Sequence, residues 1–278
     1  MKSKDSILLK GLFLLLVGAI LVFTLFPFVW ALISSFRPSS ELFSTQLLPT
    51  RLTLDHYLAV FKDERFMHSL LNSVIVAGST VVVSLALGSL CAYALGRLPF
   101  RFKGLVLFVV LLMTMFPQIS VLSGLFVMLK TLGLFNTHGG LIITYLLFTM
   151  PFTIWVMTQY FRGLPNDLEE SAYVDGASPL RVFWQILLPL TVPGLVSTGL
   201  LAFIAAWNEF LFALTFTVTD NMKTVPVAIS QFSGTSSYEQ PWGSIMAGSM
   251  AVTIPLIILV IVFQYRIVAG LTAGAVKG

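Results

Sequence analysis

The stretch that decides the fold runs Leu164-Pro165-Asn166-Asp167-Leu168-Glu169-Glu170-Ser171-Ala172-Tyr173-Val174-Asp175-Gly176-Ala177-Ser178-Pro179 and closes on Ile186-Leu187-Leu188-Pro189. It is a polar, partly acidic island between two long apolar segments. Asn166 suits a helix N-cap, and Glu169, three positions later, is placed to reach back as in a capping box. Leu168 and Ala172 share a face at i, i+4 spacing. Gly176 suits the residue that ends this helix, because glycine enters left-handed geometry without a steric penalty. Ser178-Pro179 then restarts a helix, with serine as cap and proline in the first turn. Leu180, Phe183, Trp184 and Leu187 give that second helix an apolar stripe. The spacing predicts a short helix, a glycine turn and an amphipathic helix feeding the next apolar segment. Amphipathicity alone also describes a helix resting in lipid headgroups.

Outward from this island the chain is apolar. Of 278 residues, 57% are hydrophobic and 10% charged, and the mean hydropathy is +0.93, which excludes a soluble globular protein. Six apolar runs are long enough to cross about 30 Å of hydrocarbon. They cover about 12–33, 70–95, 105–129, 140–161, 186–215 and 244–263. A barrel would show segments of about ten residues with alternating polarity. The fold class is therefore all-α: a polytopic membrane bundle of six transmembrane helices in a single domain, 1–278. With the N-terminus inside, Lys2, Lys4, Lys10, Arg97, Arg101, Lys103, Arg162, Arg181, Arg266 and Lys277 fall in the cytoplasm, against Arg37, Arg51, Lys62, Arg65, Lys130 and Lys223 outside. The outer segments are longer in total, so the inward density is about twofold higher, an asymmetry best read as topology. Both termini are then cytoplasmic, as are the 164–185 loop and a 266–278 tail.

The remaining signals are local. The first span follows three lysines, as a secretory signal would, but it is too long and has no small-x-small site, so an uncleaved span is expected. In the outer segment 34–67, residues Leu54–Phe66 are expected to form an amphipathic surface helix. Pro27, Pro117, Pro151, Pro193 and Pro255 each remove a backbone donor within a span and favour a kink. Gly78, Ser84, Gly88 and Ser89 mark one side of the second span for close packing. Cys91, the single cysteine, reads as a small packing residue and excludes an internal disulfide. The basic residues are scattered through loops, which argues against nucleic acid. No metal-ligand cluster is evident.

The island also resembles the signature of the membrane-spanning subunits of ABC importers that depend on a binding protein. That signature is Glu-Ala-Ala, three residues, Gly, nine residues, then Ile-x-Leu-Pro. Here stand Glu170-Ser171-Ala172, Gly176 and Ile186-Leu187-Leu188-Pro189, with Ser171 for the first alanine the sole departure. The likeness extends to the carbohydrate-uptake group through Asn72-Ser73, through Trp207-Asn208-Glu209-Phe210 and through the ending Gly270–Gly278. It implies a sugar-transport subunit of a bacterial or archaeal cytoplasmic membrane, half of a translocation path. It implies a coupling surface for an ATPase at Glu169, Glu170, Ala172, Asp175, Gly176, Ala177, Ser178 and Pro189. The tail residues Gly274, Ala275, Val276 and Lys277 would also reach the ATPase. The implied partners are a second homologous permease, a dimer of ATPase subunits, an extracytoplasmic sugar-binding protein and the lipid bilayer. Gln231, Ser233, Gly234 and Tyr238, in the outer segment before the last span, would meet the binding protein.

The chain has no Gly-x-x-x-x-Gly-Lys-Ser/Thr loop, so ATP and Mg belong to the partner and no cofactor is expected on this chain. Glu209 is the one acidic residue placed well inside a predicted span, and such a residue is a functional candidate by default. With Gln118, Trp207 and Asn208 it forms a candidate substrate path, although structural pairing explains the same residues. An ion-gradient-driven secondary transporter is the alternative, but inverted repeats and midplane ionisable groups are not apparent. An intramembrane hydrolase lacks His-Glu-x-x-His and Gly-x-Ser-x-Gly, which leaves the chain non-enzymatic.

Overall fold

The computed structural model describes residues 2–232 and 241–273, with side chains from 9–232 and 241–264. Its helices are α1 Lys2–Ser35, α2 Asp55–Lys62, α3 Glu64–Arg97, α4 Lys103–Thr114, α5 Gln118–Thr131, α6 His138–Gly163, α7 Asp167–Val174 and α8 Pro179–Leu190. Then come α9 Val192–Trp207, α10 Leu211–Phe216, α11 Val225–Ser230 and α12 Trp242–Ala273. No strand occurs among the described residues. Among the described residues, four helices are long and apolar enough to span a membrane, and the count reaches six when two bent pairs each serve as one span.

Those bends correct the expected continuous runs 105–129 and 186–215. The first is bent by 95° between α4 and α5, at Met115-Phe116-Pro117. Pro117 has no N–H to continue the helix and disfavours α geometry at Phe116, which accounts for a break at this point. The second bends by 77° between α8 and α9, at Thr191, just ahead of Pro193. It ends at Trp207, and α10 restarts after the break at 208–210. Pro27, Pro151 and Pro255, by contrast, lie inside uninterrupted helices. The expected 54–66 surface helix is also cut: α2 stops at Lys62, Asp63 is extended, and α3 starts at Glu64.

Packing divides the chain into two compact units, Met1–Phe66 with Ile229–Ile254, and Met67–Ala228 with Pro255–Gly278. In the first unit, α1 carries outward-facing leucine and phenylalanine along most of its described length, a surface suited to hydrocarbon. The irregular segment after it winds around Arg37, whose side chain is fully buried. Its guanidinium donates to the carbonyls of Glu41, Ser44, Gln46 and Leu47 at 2.8–3.3 Å and sits 5.4 Å from the Trp30 ring. The Arg37 carbonyl in turn holds His56 Nε2 at 3.0 Å. Ser35 and Tyr57 hydroxyls bond at 2.8 Å, which ties α2 back to the end of α1.

In the second unit, α3 and α6 approach closely because small residues face each other. Ser84 Oγ and Thr153 Oγ1 bond at 2.8 Å, and a Cβ on Gly88 would stand 2.7 Å from Thr153 Cγ2. Gly78 has open space around it, so the small stripe serves packing over only part of its length. Cys91 is exposed, contrary to its expected packing role; it points off the α3 surface rather than into the core. At the far end of α3, Asn72 Nδ2 donates to the carbonyls of Asn221 and Lys223 while its Oδ1 accepts from His138. Ser73 accepts from the Val225 N–H, and Asn136, at φ 57°, accepts from the N–H groups of Val218 and Thr219. Short polar side chains thus anchor the irregular 217–224 segment.

Candidate functional site

The 164–189 segment folds as a helix, a turn and a second helix. Gly176 adopts φ +79°. The Ala177 N–H reaches the Ala172 carbonyl at 2.9 Å and the Gly176 N–H the Tyr173 carbonyl at 3.0 Å. This is the paired 6→1 and 5→2 closure of a Schellman end. Ser178 caps α8, accepting from the Arg181 N–H at 3.4 Å, with Pro179 in its first turn. A π-helical turn over Phe183–Leu187 widens α8 just before Pro189, which has no N–H to give. Such turns recur at functional sites.

Two local expectations need correction. Asn166 makes no side-chain cap bond, and the capping box does not form. Glu169 has turned the other way, to Arg97 at the end of α3, with Oε2 3.2 Å from Nε. The apolar stripe is also displaced. Val182, Phe183 and Leu187 are buried, whereas Leu180 and Trp184 are more than half exposed. A buried cluster joins Val182, Phe183, Leu187 and Ala172 to Tyr93 and Ala92 of α3 and to Met157 and Phe161 of α6. Tyr93 packs against Phe183 with ring centroids 5.2 Å apart and planes tilted by 40°. The island therefore packs one face onto the bundle and turns the other outward.

The outward face carries most of the candidate coupling residues. Glu170, Asp175, Gly176, Ser178 and Pro189 are exposed, Ala177 is half-buried, and Ala172 lies underneath in the cluster. Beside them stand exposed apolar side chains: Val174 at 88%, Leu180 at 60% and Trp184 at 52%. An acidic and apolar surface of this kind, on a rigid helix pair, is suited to gripping a second protein. Glu169 does not belong to that face. Gly274, Ala275, Val276 and Lys277 lie outside the described residues.

The four candidate path residues are not gathered into one polar lining. Gln118 opens α5 and borders a cavity of about 350 Å³ at the α4–α5 bend, together with Thr114, Phe116, Phe148 and Phe212. Trp207 is buried and stacks on Phe203 at 5.5 Å. Asn208 is exposed, and its amide donates to the Ile204 carbonyl at 2.9 Å. Glu209 is buried and accepts from the N–H groups of Phe212 at 2.7 Å and Ala213 at 3.1 Å. It caps α10, and its geometry is that of a structural group. Gln231 is exposed next to the end of α11, while Ser233, Gly234 and Tyr238 lie outside the described residues.

Arg97 is the site residue that sequence reasoning missed. Besides meeting Glu169, its guanidinium donates to the carbonyls of Leu164 and Pro165, both at 3.0 Å. In the sequence it registers only as one positive charge in a short basic link, and no local spacing points to partners 67 residues away.

Comparison with known proteins places this arrangement. The family described as binding-protein-dependent transport system inner membrane component matches residues 84–273. The trehalose transport system permease protein SugB of Mycobacterium tuberculosis is 44% identical over 92% of this chain and 93% of its own length. The trehalose/maltose transport system permease protein MalG of Thermococcus litoralis is 44% identical over 95% and 96%. Among solved structures, a bacterial ABC transporter involved in the import of the acidic polysaccharide alginate aligns with a TM-score of 0.82. It is 24% identical and covers 95% of this chain and 98% of that one, a likeness of fold. The chain belongs to the family of inner membrane components of binding-protein-dependent transport systems.

Proposed function

We propose that this subunit forms half of the translocation path of a sugar importer and that a separate ATPase, holding ATP and Mg, drives it through the 164–189 segment. The solute is a di- or oligosaccharide, since relatives aligned over nearly their full length are named for trehalose and maltose. The path is completed by a second permease, and an extracytoplasmic binding protein delivers the sugar. One related solved structure is described as an alginate transporter in complex with a pentasaccharide-bound periplasmic protein. The 164–189 segment and both termini face the cytoplasm, in keeping with the distribution of Lys and Arg.

The observation that carries the coupling reading is the outward face of the island. Glu170 flanks a bare apolar surface of Val174, Leu180 and Trp184 on two helices locked by the Gly176 turn. The ion-gradient alternative lacks a comparable feature, and the family is one of binding-protein-dependent systems. The test is uptake of labelled trehalose and maltose by vesicles carrying the complete complex. Glu170→Lys reverses the charge on the docking face and is expected to abolish uptake while the subunit still inserts and assembles with the second permease. Wild-type uptake by that variant refutes the coupling role.

A further inference from the structure

The end of α3 holds both arms of the island at once. Tyr93 and Arg97 are one helical turn apart and so share a face of α3. Arg97 grips the first arm through the Leu164 and Pro165 carbonyls at 3.0 Å and through Glu169 at 3.2 Å. Tyr93 reaches the second arm, its hydroxyl donating to the Pro179 carbonyl at 3.3 Å. The two contacts straddle the Gly176 turn. The Arg97 and Glu169 side chains are 5% and 12% exposed, so water screens the pair little. Arginine is suited to this task, because its planar fork satisfies several acceptors in one fixed geometry.

We infer that Arg97, with Glu169 as its counter-charge, is a positioning residue that transmits movement of the island to α3. The chain itself joins the island only to α6 and α9. α3 is reached only by lateral contacts: the buried cluster around Tyr93 and Phe183, its packing on α6, and the Arg97–Glu169 pair, which is the ionic one among them. The Arg97–Glu169 joint adds a directional link at the end of α3 next to the island, where the apolar contacts can slide, while Gly88 and Ser84 hold α3 against α6 further along. The inference rests on the coupling role proposed above for the same island.

Cys91 offers a reporter, being exposed on α3 and the single cysteine of the chain. The complete complex, with cysteines removed from the partner subunits, is labelled there with an environment-sensitive fluorophore in vesicles. A non-hydrolysable ATP analogue is expected to change the signal in the otherwise unaltered chain. Arg97→Met and the isosteric Glu169→Gln are expected to keep the ATPase bound and hydrolysing while the Cys91 response falls away. Sugar moved per ATP should drop by roughly fivefold or more, the lower end of common inter-site couplings. Arg97→Lys, which keeps the charge and loses the fork, should recover part of both. An unaltered Cys91 response in both variants overturns the inference. Loss of assembly in both also overturns it, leaving the pair a folding contact only. Failure of the underlying coupling role is separate, because it shows as full uptake by Glu170→Lys.

Discussion

Substitution at Gly176 separates backbone strain from crowding. The residue sits at φ +79°, and a Cβ built there meets nothing within 4 Å. Any penalty must therefore come from left-handed geometry, which costs an L-residue roughly 1–2 kcal/mol. A turn carrying that strain escapes to other conformations, and 1–2 kcal/mol shifts such an equilibrium by a factor of about 5–30. If docking on the ATPase requires the closed turn, the apparent Kd weakens by at most that factor, because only the competent fraction binds. The expected order is Gly, then Asn, then Ala, then Val: asparagine tolerates left-handed geometry, and a β-branched residue resists it most. The assay titrates ATPase subunits onto the permease pair in nanodiscs. Equal weakening by Asn and Val would refute the strain argument, since both add a Cβ while only one opposes positive φ. Unchanged affinity across the series would show that the turn does not govern docking at all.

Two further predictions rest on single contacts. Gly88→Ala places a Cβ 2.7 Å from Thr153 Cγ2 and should cost about 1–3 kcal/mol by overpacking, read as a lower thermal midpoint in detergent. Thr153→Ser in the same chain removes that methyl while keeping the hydroxyl for Ser84, so the double variant should regain most of the loss; no recovery would mean that α3 and α6 do not meet there. In the irregular segment after α1, the Thr50 hydroxyl and the Thr50 N–H both donate to Glu41 and hold its carboxyl below the ordinary carboxylate range. A lowered carboxyl adds stability that is complete above the ordinary range and is lost as the pH falls through the depressed value. Protection of the Thr50 amide from hydrogen exchange should therefore collapse only in acid, after correction for intrinsic rates, and Glu41→Gln should erase that pH dependence.

The local grammar of the island was legible because its signals lie within a few residues of one another. Gly176 could be placed in a left-handed turn and Ser178 on a helix start because each is fixed by the chemistry of its own residue. Six apolar runs were equally visible. The breaks within two of them were not, since proline produces a 95° bend at Pro117 and none that interrupts the helix at Pro27, Pro151 or Pro255. Neighbouring helices decide between those outcomes, and a hydropathy run contains no neighbours. Glu169 failed as a capping residue for a related reason. A capping box is a weak local contact, and the Arg97 guanidinium arriving from α3 forms an ion pair with the same carboxylate where little water screens the two charges. That guanidinium enters from a helix that sequence spacing treats as remote.

Among the described residues, the charged side chains of Arg37, Arg97 and Glu209 are buried, and all three lie at breaks in helical structure. Arg37 collects four carbonyls where the chain leaves α1. Arg97 collects two where α6 gives way to the island. Glu209 accepts two N–H groups where α9 stops and α10 starts. The signs follow the backbone: the two cations meet carbonyls of the irregular chain after a helix has ended, and the anion meets N–H groups at a helix N-terminus. Interrupting a helix in an apolar setting frees polar groups that each cost several kcal/mol when left bare, so every break needs a partner for them. A charged side chain is a strong one, since a hydrogen bond to an ionised group is roughly twice as strong as a neutral one. An ionisable residue in such a chain is thus first to be tested against the nearest break in the backbone. On that test Glu209 belongs to the frame that holds α10 in place, and the exposed Glu170 remains the residue for the proposed coupling role.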